Sequence, residues 1–320
     1  MKRLILLSAL IACPILPQAV SAQSLKVQSS RPGAIPPDGS GVVRFRGEGI
    51  DDMTRLWLGF DAEVERVMEE DEAAAGRAGF RVTPGPGIHA GLGLYQLRGA
   101  NGLSSVGVLV VDPLPEIDGA KDRHSPDAAQ ALVPPVAVEA RAVERQRDYY
   151  RVTVPEGGTM HIEVVAARVG SEMDPVARVL TMEGRELAHC DDDPVIAPDA
   201  RLSYAVPGEG GYLIEVRDVV YGGGSEYRYR LRVSHEALPE LEILAGRVSE
   251  PGQEEGENRV ANVEEEGAND TRDEAMKVEV PVVVTGRFEK KGDRDWYQFA
   301  VEKGQRLAFE GEARTLGSPC

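Results

Sequence analysis

Five aspartates, Asp174, Asp191, Asp192, Asp193 and Asp218, have the types and spacing that come nearest to chemistry in this chain of 320 residues. All five fall in turn-rich connections between segments of alternating polarity. In a chain whose strands run up and down, successive connections alternate between two ends of the fold. Counted from 170–175, the connections at 190–199 and 218–224 return to the same end. Carboxylates gathered there, helped by carbonyls, would suit a hard cation such as Ca²⁺, which takes ~6–8 oxygen ligands. The other reading is local: Asp174 and Asp193 each precede a proline and would shape turns through side-chain to backbone bonds. Calcium and turn formation are both carried forward.

Other chemistry is sought without result. His235-Glu236 is followed by Ala237, Leu238 and Pro239, so the helical zinc-protease pattern fails. Gly102, Ser104 and Val106 break the nucleophile-elbow pattern at its last position. His89, His124, His161, His189 and His235 are scattered. In His189-Cys190 the two side chains point to opposite sides of a strand end, and Asp191–Asp193 would raise the thiol pKa. Gly222–Gly224 joins two strands and opens no helix, so it is a turn rather than a phosphate loop. No catalytic residue is assigned. Arg228, Arg230 and Arg232, with Arg217 nearby, form a cationic stripe. It is expected to be an exposed strand face balanced by acids such as Glu163 or Glu215, with an anionic glycan as the alternative.

These residues hang on strands. Period-2 alternation marks strands at 149–154, 160–166, 176–181, 185–188, 202–206, 212–218 and 227–233. In the last, Tyr227, Tyr229, Leu231 and Val233 share one face, and the arginines take the other. One apolar face per strand with short turns is the pattern of a two-sheet antiparallel sandwich. Upstream, alternation at 43–47, 56–60, 79–83, 93–98 and 106–111 predicts a separate all-β module over 25–117, with 64–75 as a short helix or a solvated loop.

A repeat organises the rest. Arg147, Asp148, Tyr150, Val154, Gly157, Glu163, Gly170 and Ser171 recur 147 residues later as Arg294, Asp295, Tyr297, Val301, Gly304, Glu310, Gly317 and Ser318. The same offset extends upstream to Val133-Pro134 and Val280-Pro281. That period is too long for a solenoid unit and indicates a duplicated domain. The run from Ser125 to Val233, including RDYYRVTV, ARVGSEMDP, EGRELAHCDDD, DARLSYAVPGEGGYLIEVRD and YRLRV, resembles the bacterial pre-peptidase C-terminal domain. The resemblance returns, for its first third to half, over 269–320. It implies a jelly-roll-like sandwich of the kind found beside secreted peptidases, and calcium in some members. The plan of 25–117, with Pro32-Gly33, Phe45, Gly47, Tyr95, Arg98, Asn101-Gly102, Ser104 and Val111-Asp112, resembles immunoglobulin-like modules of the plexin and transcription-factor type. This implies a spacer or binding platform.

The expected fold is therefore all-β, with tandem antiparallel β-sandwiches. A module at 25–117 is followed by a linker from Pro113 to Arg123, a sandwich at 124–235, an acidic linker at 241–268 and a truncated second copy at 269–320. That copy leaves Trp296, Phe299, Leu307 and Phe309 without a covering sheet, so the chain is expected to be a piece of a longer protein. Residues 1–22 read as a signal peptide: Lys2-Arg3, an apolar run too short to span a bilayer, and Val20-Ser21-Ala22 before Gln23. Lipidation at Cys13 is the minor alternative. Cys190 and Cys320 would then be the remaining cysteines, too few for a disulfide framework, with a bridge between them left open.

Net charge is −17, or −19 without Lys2 and Arg3, which excludes nucleic acid and anionic lipid as partners. No later segment reaches the ~20 apolar residues of a membrane helix. Export to the periplasm, cell surface or exterior is expected. The function expected is a non-catalytic spacer, surface-binding or stabilising unit whose partner is a protein or polysaccharide surface. The alternative is the accessory region of a larger secreted peptidase or other hydrolase. A calcium-dependent binder of carbohydrate or matrix is a third reading. Few aromatics are available as a sugar platform, since Trp57 and Trp296 both stand at strand positions.

Overall fold

The computed structural model describes residues 25–67, 76–100, 102–155, 157–244, 261–265, 269–287, 290 and 293–301. The signal-peptide and Cys13 readings, the core of the acidic linker and the chain after Val301 lie outside them. The described residues form strands, short 3-10 turns and loops, and the fold is all-β as expected. Among them, no helix is long and apolar enough to cross a membrane.

The first module runs through β1 (Lys26–Arg31), β2 (Ala34–Ile35), β3 (Gly41–Glu48), β4 (Arg55–Leu58), β5 (Ala62–Val67), β6 (Arg77–Pro84), β7 (Gly91–Gly99), β8 (Gly102–Leu103) and β9 (Gly107–Val111). One sheet has the order β1-β3-β6-β5, and the other is built on β2-β9-β7 with β4 and β8 also paired to β7. Alternation puts Val43, Phe45, Ala78, Phe80 and Val82 of the first sheet against Leu56, Leu58, Tyr95, Leu97 and Leu109 of the second. The part of 64–75 that is described continues strand β5 rather than forming a helix or loop, because Val64 and Val67 pair with Val82 and Gly79. Gly93 leaves room for the Phe60 ring against β7, since a Cβ there would stand 2.2 Å from the ring. Gly93→Ala is expected to cost about 1–3 kcal/mol by overpacking, read as a lower midpoint in urea with the slope unchanged.

The second module takes the chain through β10 (Glu116–Asp118), β11 (Gln130–Leu132), β12 (Val136–Arg141), β13 (Asp148–Val154), β14 (Thr159–Val165), β15 (Pro175–Thr181), β16 (Glu186–Cys190), β17 (Ala200–Ala205), β18 (Gly210–Asp218) and β19 (Arg228–Ser234). The two sheets are β10-β12-β19-β14-β17 and β11-β13-β18-β15-β16. Most connections therefore cross from one sheet to the other. Every strand expected between 149 and 233 is present. Their inward faces, including Tyr150, Val152, Ile162, Val164, Val179, Ile214, Leu231 and Val233, make one core.

Two segments that composition marks as linkers carry strands. The stretch from Pro113 to Arg123 contains β10, which pairs in parallel with β12. Beyond the sandwich, Leu241 is buried and β20 (Glu242–Leu244) returns to pair in parallel with β7 of the first module. Local charge and proline content report solvation of a free chain, whereas a sheet edge offers unpaired backbone groups that any extended segment can use.

Past residue 260, β21 (Ala261–Glu264) pairs in parallel with β23 (Val282–Thr285), and β22 (Met276–Lys277) with β24 (Tyr297–Gln298). The complete copy makes the same two parallel pairings, β10 with β12 and β11 with β13. The registers correct the repeat. Gln130 faces Tyr150 and Met276 faces Tyr297, so the offset is 146 before the first equivalent strand pair closes and 147 after it. The single offset of 147 holds only from Arg147 onward. Arg123 thus corresponds to Asn269, whose carbonyls accept from Tyr149 N and Trp296 N respectively.

Candidate functional site

Asp218 ends β18 and is buried; its Oδ1 accepts from Asp174 N (3.0 Å) and its Oδ2 from Val220 N (3.0 Å) and Gly222 N (2.8 Å). Asp193 accepts from Val195 N (2.9 Å) and Ile196 N (3.3 Å), and Arg201 grips both its oxygens at 3.2 Å. Burial works against the Asp193 charge, but these donors outweigh it and hold the carboxyl below its usual range. Asp191 accepts from Asp192 N at 3.1 Å. Turn-shaping bonds therefore occupy Asp218, Asp193 and Asp191.

Asp174 differs. Burial pushes its carboxyl above the usual range, and the charges of Asp192, Asp218, Asp191 and Asp199 add to the push. The loop ends thus bring Asp174, Asp191, Asp192 and Asp218 into one neighbourhood, while Asp193 turns away to Arg201. No three of the five place ligand oxygens within 4.8 Å of one another. Because the folded-state pKa of Asp174 is raised, its contribution to stability is complete below the ordinary carboxylate value and is lost as pH rises through the folded value. Asp174→Asn is accordingly expected to raise Tm near pH 7 by roughly 1–2 °C. A pH series should show the gain shrinking to nothing in acid.

Among the described residues, the acids that do converge are Asp270, Asp293 and Asp295 of the second copy, with oxygens within 4.8 Å. Asp295 corresponds to Asp148 and Asp270 to His124. In the complete copy Asp148 is neutralised by Arg123 Nη2 at 2.6 Å and faces His124 Nδ1 at 2.8 Å. In the second copy an amide, Asn269, takes the place of the guanidinium, and Lys290 Nζ reaches Asp270 at 2.6 Å. In the sequence, Asn269-Asp270 stands as the opening of the second copy. The loss of the cation partner is legible there only once the offset is 146, which sets Asn269 against Arg123.

The arginine stripe is a larger correction. Arg230 and Arg232 are 2% and 0% exposed, so the strand face expected to meet solvent is buried. It is covered by the first module. Arg232 pairs with Glu163 and with Asp112 Oδ2 (3.1 Å); Arg230 pairs with the same Asp112 oxygen (2.9 Å), with Glu116 (2.8 Å) and with Glu139 (2.7 Å). Glu163 also takes Arg168 (2.6 Å), which takes Asp199 (2.7 Å). The expected cross-strand balance by Glu163 is present, whereas Glu215 serves Arg178 at 2.8 Å and is 3.9 Å from Arg217. The Glu116 carboxylate also accepts from Gly33 N and Ala34 N at 3.1 Å, tying β2 to the seam. Beside this alternating chain of charges, Ala34, Leu92 and Val110 pack on Val165, with Leu241 closing the patch.

The remaining nucleophile and base candidates have ordinary surroundings. Cys190 is half-buried; burial raises its thiol and Asp193, Asp191 and Asp192 add to the rise. His189 faces Glu186 at 2.9 Å, His161 faces Ser203 at 2.8 Å, and both bonds are exposed.

No family model matches the chain, and no curated protein matches it. Solved structures of similar shape include the pre-peptidase C-terminal domain of a collagenase from Bacillus anthracis, 14% identical, over 33% of this chain and 94% of that one, with a TM-score of 0.28. PliG, a periplasmic inhibitor of g-type lysozyme from Aeromonas hydrophila, is 19% identical over 38% of this chain and 93% of its own, with a TM-score of 0.25. SGBP-B from a xyloglucan utilization locus in Bacteroides uniformis is 9% identical over 66% and 73%, with a TM-score of 0.21. Likeness at this level bears on neither ligand nor activity.

Proposed function

We propose that this chain is an exported, non-catalytic unit that holds its modules in a fixed relation and presents a surface for binding. In this reading 124–235 is a module of the pre-peptidase C-terminal type and 25–117 an immunoglobulin-like platform. One observation carries it: the buried seam from Asp199 through Arg168, Glu163, Arg232 and Asp112 to Arg230 joins two modules into one body. Domain contacts within a chain are ordinarily polar and mobile. Several guanidinium–carboxylate pairs without solvent screening favour one arrangement, because any other strands a charge. A spacer or display platform needs that fixity, whereas a hinge-closing enzyme needs the reverse.

The test incubates the purified chain with insoluble cell-envelope and polysaccharide fractions, and in parallel with peptide, ester and glycoside substrates. Retention without turnover supports the proposal, and turnover that scales with chain concentration sinks it. The reading as an accessory region of a secreted hydrolase makes the same prediction for this chain. A cation-dependent version is favoured by the convergence of Asp270, Asp293 and Asp295. In that version chelator lowers Tm and abolishes retention, and a chelator-insensitive Tm ends it.

A further inference from the structure

Where the seam runs out toward solvent, the two modules leave a cleft of about 300 Å³ walled by β1, the start of β9, β12 and β19. Its charge is not balanced as the seam's is. Arg141 and Arg228 are directly opposite each other in the antiparallel pairing of β12 with β19, so their side chains leave the same face. Like charges so placed repel, because the Cβ atoms are only ~4.5–5.5 Å apart. Among the described residues neither guanidinium has an acid within 4 Å, although Arg230 and Arg232 on the same face are paired with five acidic contacts between them. Lys26 lines the same cleft and is exposed.

A second observation comes from inside. Arg230 also lines the cleft and is 2% exposed; its Nε and Nη1 are used by Asp112, Glu116 and Glu139, but its buried Nη2 meets no acceptor. An unmet N–H on a buried guanidinium costs stability. The acid facing the cleft, Glu139, is held by Arg230 at 2.7 Å and so does not neutralise exposed Arg141 and half-buried Arg228. The rest of the wall offers hydroxyls, from Ser29, Ser30, Ser105 and Tyr95.

We propose that this cleft binds a small hydroxylated carboxylate, namely a uronic-acid unit of a largely neutral polysaccharide. Arg141 and Arg228 clamp the carboxylate in the forked geometry guanidinium favours, and the serines and Tyr95 meet ring hydroxyls. The volume is at the small end for ligand sites and suits a sugar unit rather than a long chain segment. A densely charged polyanion is excluded by the net charge of −17, whereas one carboxylate senses mainly charges within a Debye length of ~8 Å. This goes beyond the fixed-platform reading, and either can fail without the other.

The test is calorimetric titration of the full chain with a glucuronate-bearing disaccharide, its neutral glucose counterpart, a dipeptide with a free carboxylate, and sodium sulfate. The glucuronate disaccharide should bind at least ~10-fold more tightly than each of the others, on the scale of one charge-assisted contact. Arg141→Gln and Arg228→Gln should each weaken it by about 10-fold, and the pair should abolish it, while Arg55→Gln, on the first module's β4, leaves it unchanged. Tm of the single variants should equal or exceed that of the parent, since a like-charge contact is relieved. Should either glutamine variant fold poorly, Arg141→Lys and Arg228→Lys keep the charge and lose the fork, and must still weaken binding. Equal binding of the neutral sugar, tighter binding of the dipeptide, sulfate binding as well as the disaccharide, absence of binding at millimolar sugar, or indifference to the double variant would each overturn the assignment.

Discussion

Replacing Asp112 with alanine is expected to cost about 3–5 kcal/mol, the scale for removing one partner of a buried charge pair. Asp112 is the acid that both Arg230 and Arg232 share, and its side chain is wholly buried between the modules. Its removal leaves Arg232 to Glu163 and the Pro239 carbonyl, and Arg230 to Glu116 and Glu139. The penalty is the stranded positive charge rather than the lost attraction, so a neutral isostere that still accepts a hydrogen bond should recover part of it. Asp112→Asn should therefore fall between parent and alanine in Tm. The decisive readout is shape. Small-angle scattering should show the 25–244 body as a single rigid form in the parent and a broadened distribution of module orientations in Asp112→Ala. A variant that loses stability but keeps a single form would refute the claim that Asp112 fixes the junction.

That residue also shows where sequence reading ends. Alternation in 227–233 is enough to place Tyr229, Leu231 and Val233 in the core, and each is at most 1% exposed. The opposite face carries three arginines, and nothing local distinguishes a solvated charged face from one that a second module covers. What covers it lies 118 and 120 residues upstream, at Asp112, the last residue before the proline-bearing stretch whose composition reads as linker. A charged strand face is a complete description only for a module standing alone. The predicted convergence of loop-end aspartates was likewise legible in part. The ends of β15 and β18 do bring Asp174 and Asp218 together, because those two strands pair directly within one sheet although two other strands separate them in sequence. Which oxygens were free was not legible, because backbone N–H groups of the turns themselves claim Asp218, Asp193 and Asp191. Spaced identities mark a repeat, but not its register. One inserted residue between parallel strand pairs is invisible to an ungapped comparison, and it decides which residue stands for Arg123.

Asp148→Ala should be the most damaging substitution within the second module itself, again by about 3–5 kcal/mol, for a reason different from the junction's. Here the buried polar group links the two sheets of one sandwich. Tyr150 on β13 and Tyr229 on β19 come from opposite sheets, and their hydroxyls meet at 2.6 Å. Tyr229 donates to Asp148 Oδ2 (2.5 Å), Arg123 Nη2 takes the same oxygen (2.6 Å), and Arg123 Nε donates to Tyr150 (2.9 Å). His124 Nδ1 meets the other oxygen at 2.8 Å. Burial pushes both phenols well above their ordinary range. Without the carboxylate, the Arg123 charge is left with Tyr150, Tyr229 and the Ala120 and Arg141 carbonyls. Replacing the whole cluster with apolar groups is the informative control. Arg123→Met combined with Asp148→Leu and phenylalanine at Tyr150 and Tyr229 should recover much of the loss, because buried ionic groups often break even against well-packed apolar ones. If the single Asp148→Ala variant unfolds in urea at the parent midpoint, the cluster contributes nothing to closure and the sandwich is held by its apolar core alone. If instead the quadruple variant is no better than Asp148→Ala, the cluster supplies geometry that packing cannot replace.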